Sequence, residues 1–120
     1  MSLYGEYVME RMGDHIVEDE RGFATYRYLN GGKSCYIVDI YVRPEFRREN
    51  VASQYATLIA SSAAVAGCVE LLGSVSPQAK NPTDSIKVLL AYGMELQSAS
   101  HELLIFRKDI GQITLKEGSS

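Results

Sequence analysis

Residues 42–53, Val42-Arg43-Pro44-Glu45-Phe46-Arg47-Arg48-Glu49-Asn50-Val51-Ala52-Ser53, join a strand to a helix, and the rest of the chain is arranged around that junction. Upstream, Cys35-Tyr36-Ile37-Val38-Asp39-Ile40-Tyr41-Val42 is dense in β-branched and aromatic residues and carries one charge, as a strand covered on both faces does. Downstream, Val51, Tyr55, Leu58, Ile59 and Val65 recur at the spacing of a helix laid on a sheet. The loop between them holds the adjacent Arg47 and Arg48 and ends where the helix starts. A helix start offers unpaired N–H groups and a partial positive charge, so the junction suits an anion such as a pyrophosphate. The same residues also fit a solvated turn with Asn50 as helix cap.

Composition narrows the class. A chain of 120 residues is one domain with a core of modest size. The formal net charge of −3 gives no basic excess for a nucleic-acid partner. Apolar runs fall far short of a membrane span, and the start has no signal-peptide pattern, so no membrane partner and a cytoplasmic location are expected. Cys35 and Cys68 make neither a disulfide framework nor a metal motif. Each opens an expected strand, where a buried thiol is the default.

Taken in order, residues 1–13 fit a short helix with Tyr4, Val8 and Met12 on one side and Gly13 as stop, or a strand. His15 to Glu18 reads as a strand, Asp19 to Gly22 as a turn and Phe23 to Leu29 as the partner strand. Asn30-Gly31-Gly32 is a hairpin turn, since Asn-Gly readily takes two consecutive positive φ angles. After the central helix, Gly67 ends the apolar period and residues 69–75 form a strand. A strand–helix–strand unit implies a right-handed crossover with parallel strands. Asn81 caps a second helix with Pro82 at its first position, running to Tyr92 and stopped by Gly93. Residues 94–97 and 102–110 form a hairpin around Ser98-Ala99-Ser100. The single domain spans 1–110, and 111–120 is a polar, Gly/Ser-tipped tail.

The junction resembles the acyl-coenzyme A loop of the GNAT family of N-acetyltransferases, Val-x-Pro-x-aromatic-Arg running into Arg/Gln-x-x-Gly-x-Gly/Ala. Val42, Pro44, Phe46 and Arg47 match the approach. Arg47 to Ala52 matches the loop except at Asn50, which stands where the family has glycine; asparagine is the next most tolerant residue of positive φ. The order β-β-β-α-β-α-β-β over about 15–110 is also the family's, from its second strand onward. The resemblance implies an α/β (α+β) fold of the acyl-CoA N-acyltransferase kind, a mixed, splayed β-sheet with helices packed on it. It further implies acetyl-CoA as acyl-donor substrate, its pantetheine arm lying between strands 35–42 and 69–75. Tyr41 and Val42 would then offer backbone groups to that arm. Arg48, Glu49, Asn50, Val51, Ala52 and Ser53 would cradle the pyrophosphate, with Arg47 and Arg48 adding charge. Asn81, at the family's asparagine position before the second helix, joins the same cofactor-binding set.

The reaction implied is direct transfer of acetyl to a primary amine of a small molecule or protein, which the sequence does not identify. The amine attacks when neutral, so a base or water chain removes its proton, and an acid helps the thiolate leave. Many members carry a tyrosine acid on the second helix, but that slot here falls on Leu89 or Val88. Tyr92, one turn on from Leu89, is the remaining candidate acid. For the base, the family's glutamate slot is Val38, while Asp39 matches the following aspartate. A carboxylate in an apolar strand is costly unless partnered, so Asp39 is either a hydrogen-bonded structural group or a general base. Thirteen N-terminal residues supply one element where typical members have a strand and two helices. The acceptor groove is then open, or a homodimer partner closes it through Tyr4, Tyr7 and Val8. A non-catalytic acyl-CoA-binding or structural domain is the alternative to the enzyme, favoured by the missing tyrosine and by Asn50.

Overall fold

The computed structural model describes residues 2–78 and 82–111. Its elements are α1 (Leu3–Met12), β1 (His15–Asp19), β2 (Gly22–Leu29), β3 (Ser34–Val42), α2 (Val51–Val65), β4 (Glu70–Val75), α3 (Pro82–Ala91), β5 (Glu95–Ala99) and β6 (Leu104–Asp109). The strands form one mixed sheet in the order β1-β2-β3-β4-β6-β5, in which β3 and β4 are parallel and the other neighbours antiparallel. The connections β3-α2-β4 and β4-α3-β5 cross the sheet in the same direction, and the right-handedness of such crossovers lays both helices on one face. Between that face and the helices lies a core of Ala24, Tyr26, Cys35, Ile37, Tyr55, Ile59, Leu71, Val75 and Phe106.

The first segment is a helix. Ser2 Oγ accepts a hydrogen bond from Gly5 N at 3.0 Å, and Gly13 closes the helix in the left-handed region (φ 71°) with its N–H on Met9 O. Helix α1 packs on the sheet face opposite α2: Tyr4 meets Phe23 at 5.2 Å between ring centroids, and Phe23 points away from its core neighbour Ala24. Beyond the helix, the buried Asp14 carboxylate takes two bonds from Arg27 of β2, at 2.7 Å (Nε) and 3.0 Å (Nη2). These side-chain bonds hold the Arg27 guanidinium above its ordinary value and tie α1 to the sheet.

Several local expectations are corrected. The β2–β3 turn uses three consecutive positive φ angles rather than two, at Asn30 (54°), Gly31 (68°) and Gly32 (87°). Strand β3 is covered on both faces only at its start; Asp39 and Tyr41 are exposed. On α2, Leu58 and Val65 are 54% and 90% exposed, while Ala56 and Ala63 are buried. Leu58 precedes Ile59 by one residue and Val65 follows it by six, so they lie about 100° and 120° around the helix from the buried stripe. The last hairpin turns at Ser100–Leu103 rather than at Ser98–Ser100, because Ser100 Oγ accepts from the N–H groups of Glu102 (3.3 Å) and Leu103 (3.1 Å). Asn81 and the expected tail beyond Gly111 lie outside the described residues.

Candidate functional site

Strands β3 and β4 pair only over Ser34–Tyr36 and Glu70–Leu72. Beyond that, β3 stays with β2 up to Val42 and β4 stays with β6 up to Val75, so the two parallel strands separate into a wedge-shaped gap. From Tyr36 to Val42 the open edge of β3 is about 20 Å long at ~3.3 Å per residue. An edge of this kind presents unpaired backbone groups to whatever lies in the gap.

A β-bulge shapes that edge. Thr25 pairs with Asp39 and Tyr26 with Ile37, leaving Val38 without a partner on β2. One extra residue shifts the alternation of side chains by one. Cys35 and Ile37 before the bulge, and Ile40 and Val42 after it, therefore all face the helices, whereas Asp39 turns to the other face. The premise that Asp39 is a buried carboxylate is thus corrected: it is exposed, and among the described residues nothing donates a hydrogen bond to it.

At the wide end of the gap the chain crosses to α2 through a single 3₁₀ turn, Pro44–Phe46. Arg43 N donates to Arg21 O at 2.8 Å and pins the crossing to the β1–β2 turn. Asn50 takes the left-handed conformation (φ 58°, ψ 30°), which the family pattern assigns to glycine. Its side chain makes no capping bond, and Gln54 N on Asn50 O, at 3.1 Å, is the first backbone bond of the helix. The N–H groups of Val51, Ala52 and Ser53 therefore lack intrahelical acceptors, and no acidic residue stands in the first turn. Arg48, Glu49 and Asn50 are exposed at this end. Arg47 folds back instead: its Nε donates to Val42 O at 2.8 Å and its guanidinium lies 5.7 Å from the Tyr41 ring centroid. One of the backbone groups expected to be free at Tyr41–Val42 is thus already engaged.

Sequence reasoning missed Arg21. With Asn50, Ser53 and Gln54 it lines an open depression beside the start of α2, and its Nη1 donates to Gln54 Oε1 at 2.9 Å. Its other face grips Asp19 (Nη2–Oδ2 2.7 Å). Asp19 also accepts from the buried Tyr55 hydroxyl at 2.7 Å. The bonds from Arg21 and Tyr55 hold the Asp19 carboxyl well below the usual carboxylate range. Burial first, and the bond to Asp19 second, push the Tyr55 phenol up to about 12.

Tyr92 lies elsewhere. Lys108 of β6 sits with Nζ 4.5 Å from the Tyr92 ring centroid and donates to Tyr92 O at 2.9 Å. Strand β6 borders β4 on the side away from β3, so the ring packs across β4 from the gap. Leu89, in the family's tyrosine slot, packs over Gly73 of β4, with Cδ2 3.5 Å from where a Cβ would stand. A different tyrosine reaches the gap. Tyr36 Oη lies 2.6 Å from Ser74 Oγ, linking β3 to β4 just beyond their last pair, Tyr36–Leu72.

The profile of the Acetyltransferase (GNAT) family matches residues 8–85. The fold is similar to that of a putative GNAT-family acetyltransferase from Desulfovibrio desulfuricans (TM-score 0.73, 13% identity, 88% of this chain and 76% of that one). It is also similar to PaiA N-acetyltransferase from Thermoplasma acidophilum (0.70, 13%, 89% and 68%) and to a Bacillus subtilis acetyltransferase (0.68, 12%, 87% and 82%), both solved with coenzyme A. Of other similar structures the chain spans as little as 58% of the length. No curated protein matches it. The splayed sheet, the loop into α2 and the family match agree: the chain belongs to the GNAT acetyltransferase family.

Proposed function

We propose that this protein transfers the acetyl group of acetyl-CoA directly to a primary amine. The observation that carries the proposal is the conjunction of the β3–β4 gap with the α2 start, where left-handed Asn50 precedes three N–H groups without intrahelical acceptors. A pyrophosphate placed there would be held by Val51, Ala52 and Ser53 N–H, with the exposed Arg48 and, on release from Val42 O, Arg47 as counter-charges. The bound conformation of Asn50 is already set, and its side chain is uncommitted, so the residues fit the group. The arm would run along β3 from Val42 toward Tyr36. Asp39, exposed on the open part of β3, is the carboxylate placed to attract the acceptor amine and, through water, to take its proton.

Calorimetric titration with acetyl-CoA, on the native chain and on Arg47→Ala/Arg48→Ala, tests this. Micromolar binding weakened about tenfold in the double variant, some 1.4 kcal/mol, is the expected result. No binding by the native chain removes the function.

One observation favours a second function, a non-catalytic acyl-CoA-binding domain. Leu89 offers no proton at the family's tyrosine slot, and Tyr92 faces Lys108. Binding of acetyl-CoA without acetylation of any member of a broad amine and peptide panel would establish it.

A further inference from the structure

We infer that Tyr36 is the proton donor to the departing thiolate, held in place by Ser74, an assignment that rests on the acetyltransferase function proposed above. The gap closes at the Tyr36–Leu72 pair. An arm entering at the Val42 end can pass no deeper, so its reactive end lies within reach of whatever side chain guards that closed end. The group there is the Tyr36 phenol, which crosses from β3 toward the wide end to meet Ser74 Oγ at 2.6 Å. Both side chains are partly buried, and the bond fixes the phenol at the gap rather than leaving it to swing into solvent.

The surroundings suit the role. Tyr36 stands directly opposite Arg27 in the β2–β3 register, so a guanidinium held by buried Asp14 is its cross-strand neighbour. That guanidinium is ion-paired with Asp14, and the phenol oxygen has Ser74 Oγ as its own partner. Ser74 can donate to that same oxygen, since a hydroxyl both accepts and donates. Arg27, Tyr36 and Asp39 share one face of the sheet, the face opposite α2 and α3 on which α1 packs, so donor and carboxylate approach the gap from the same side.

The step balances. The amine nitrogen forms a bond to the thioester carbonyl carbon, and the carbon–sulfur bond breaks with its electron pair going to sulfur. Sulfur takes the proton of Tyr36. The nitrogen releases one proton by way of water and Asp39, and the phenolate recovers one from solvent, giving amide and free thiol.

The test uses the full chain and Tyr36→Phe. Acetyl-CoA binding by calorimetry is expected to stay within about twofold of native, which also reports an intact fold, while kcat on the best acceptor of an amine and peptide panel falls at least tenfold. Titration of bound coenzyme A, followed by thiolate absorbance, is expected to move to higher pH, because the hydroxyl that donates to the thiolate is gone; a merely structural tyrosine would not move it. Ser74→Ala keeps the phenol without its partner, and a smaller kcat loss than that of Tyr36→Phe is expected. An unchanged kcat and thiol titration in Tyr36→Phe, with binding intact, overturns the assignment and leaves the acetyltransferase function standing. A loss in Ser74→Ala as large as that in Tyr36→Phe makes Ser74 the donor and also overturns it. Failure of the native chain to bind acetyl-CoA removes both.

Discussion

Tyr55 of α2 donates its hydroxyl to Asp19 of β1 across 2.7 Å, and this buried bond fixes where the helix begins relative to the sheet. Arg21 closes the arrangement from outside, bonding Asp19 and Gln54 together. The start of α2, with its free N–H groups, is thereby anchored to the β1–β2 turn.

Removing the hydroxyl with Tyr55→Phe is expected to cost about 1.5–3 kcal/mol in urea unfolding, the range for a hydrogen bond to a charged group. The pH dependence has a definite sign. Asp19 has a folded value below its ordinary 3.8, so its contribution is present above that value and is lost as pH falls below it. Tyr55 is raised from 10.0 to about 12, so its contribution is complete below pH 10 and disappears as pH rises toward 12. Native and Tyr55→Phe stabilities should therefore converge at both acid and alkaline extremes and differ most between them.

Asn50 occupies φ 58° without help from its side chain. Asn50→Gly is expected to keep the fold and to bind acetyl-CoA at least as tightly as the native chain, since glycine meets the same angle with no side chain near the phosphates. Asn50→Val is expected to lose about 1–2 kcal/mol of stability, because a β-branched residue resists the left-handed region, and to weaken binding in parallel. Calorimetry and urea unfolding on the two variants check both.

Gly22 faces a different constraint, because its φ is not positive. A Cβ at this position would overlap the Tyr41 carbonyl oxygen of the neighbouring strand, at the Gly22–Val42 pair that ends the β2–β3 ladder. Gly22→Ala is expected to destabilise the protein by about 1–3 kcal/mol. It should also weaken acetyl-CoA binding by moving the Tyr41–Val42 edge, whereas Gly31→Ala in the opposite hairpin should leave binding unchanged.

Burial pushes the Cys35 thiol up to about 12, with Cys68 adding to the rise, and burial raises Cys68 as well. Neither thiol is expected to react with a disulfide reagent at neutral pH in the folded protein, and both should react in denaturant. A single reactive equivalent in the native state would contradict the packing around β3. The practical corollary is that thiol release from acetyl-CoA can be followed by such reagents without interference from the protein.

The order of elements was legible because each carries a period: alternation in the strands, recurrence at i and i+4 in α2, and glycine or Asn-Gly at their ends. The Arg47–Ala52 loop was legible as a local pattern, and its one departure, Asn50, takes the backbone angle that glycine would supply. The remainder depends on register. Val38 and Asp39 give no local sign of a bulge, so the exposure of Asp39 emerges only once β3 is paired with β2. Tyr36 and Ser74 are 38 residues apart and meet only because β3 and β4 are parallel in one particular register. Tyr92, just past the end of α3, lies within a turn of Leu89 in sequence, yet it packs across β4 from the gap, a distinction helical spacing alone does not make.

The bulge at Val38 gives β3 two phases. Upstream of it odd-numbered residues point to the helices; downstream even-numbered ones do. Substituting Val38 leaves that change of phase in place, whereas deleting it would remove the bulge: Asp39 would follow Ile37 in regular alternation, Ile40 and Val42 would still face the helices, and the open edge would be one residue shorter. The spacing between Tyr36 and Pro44, more than the identity of any residue between them, thus sets the distance from the closed end of the gap to its mouth. A useful library at this edge would vary side chains freely and hold chain length fixed.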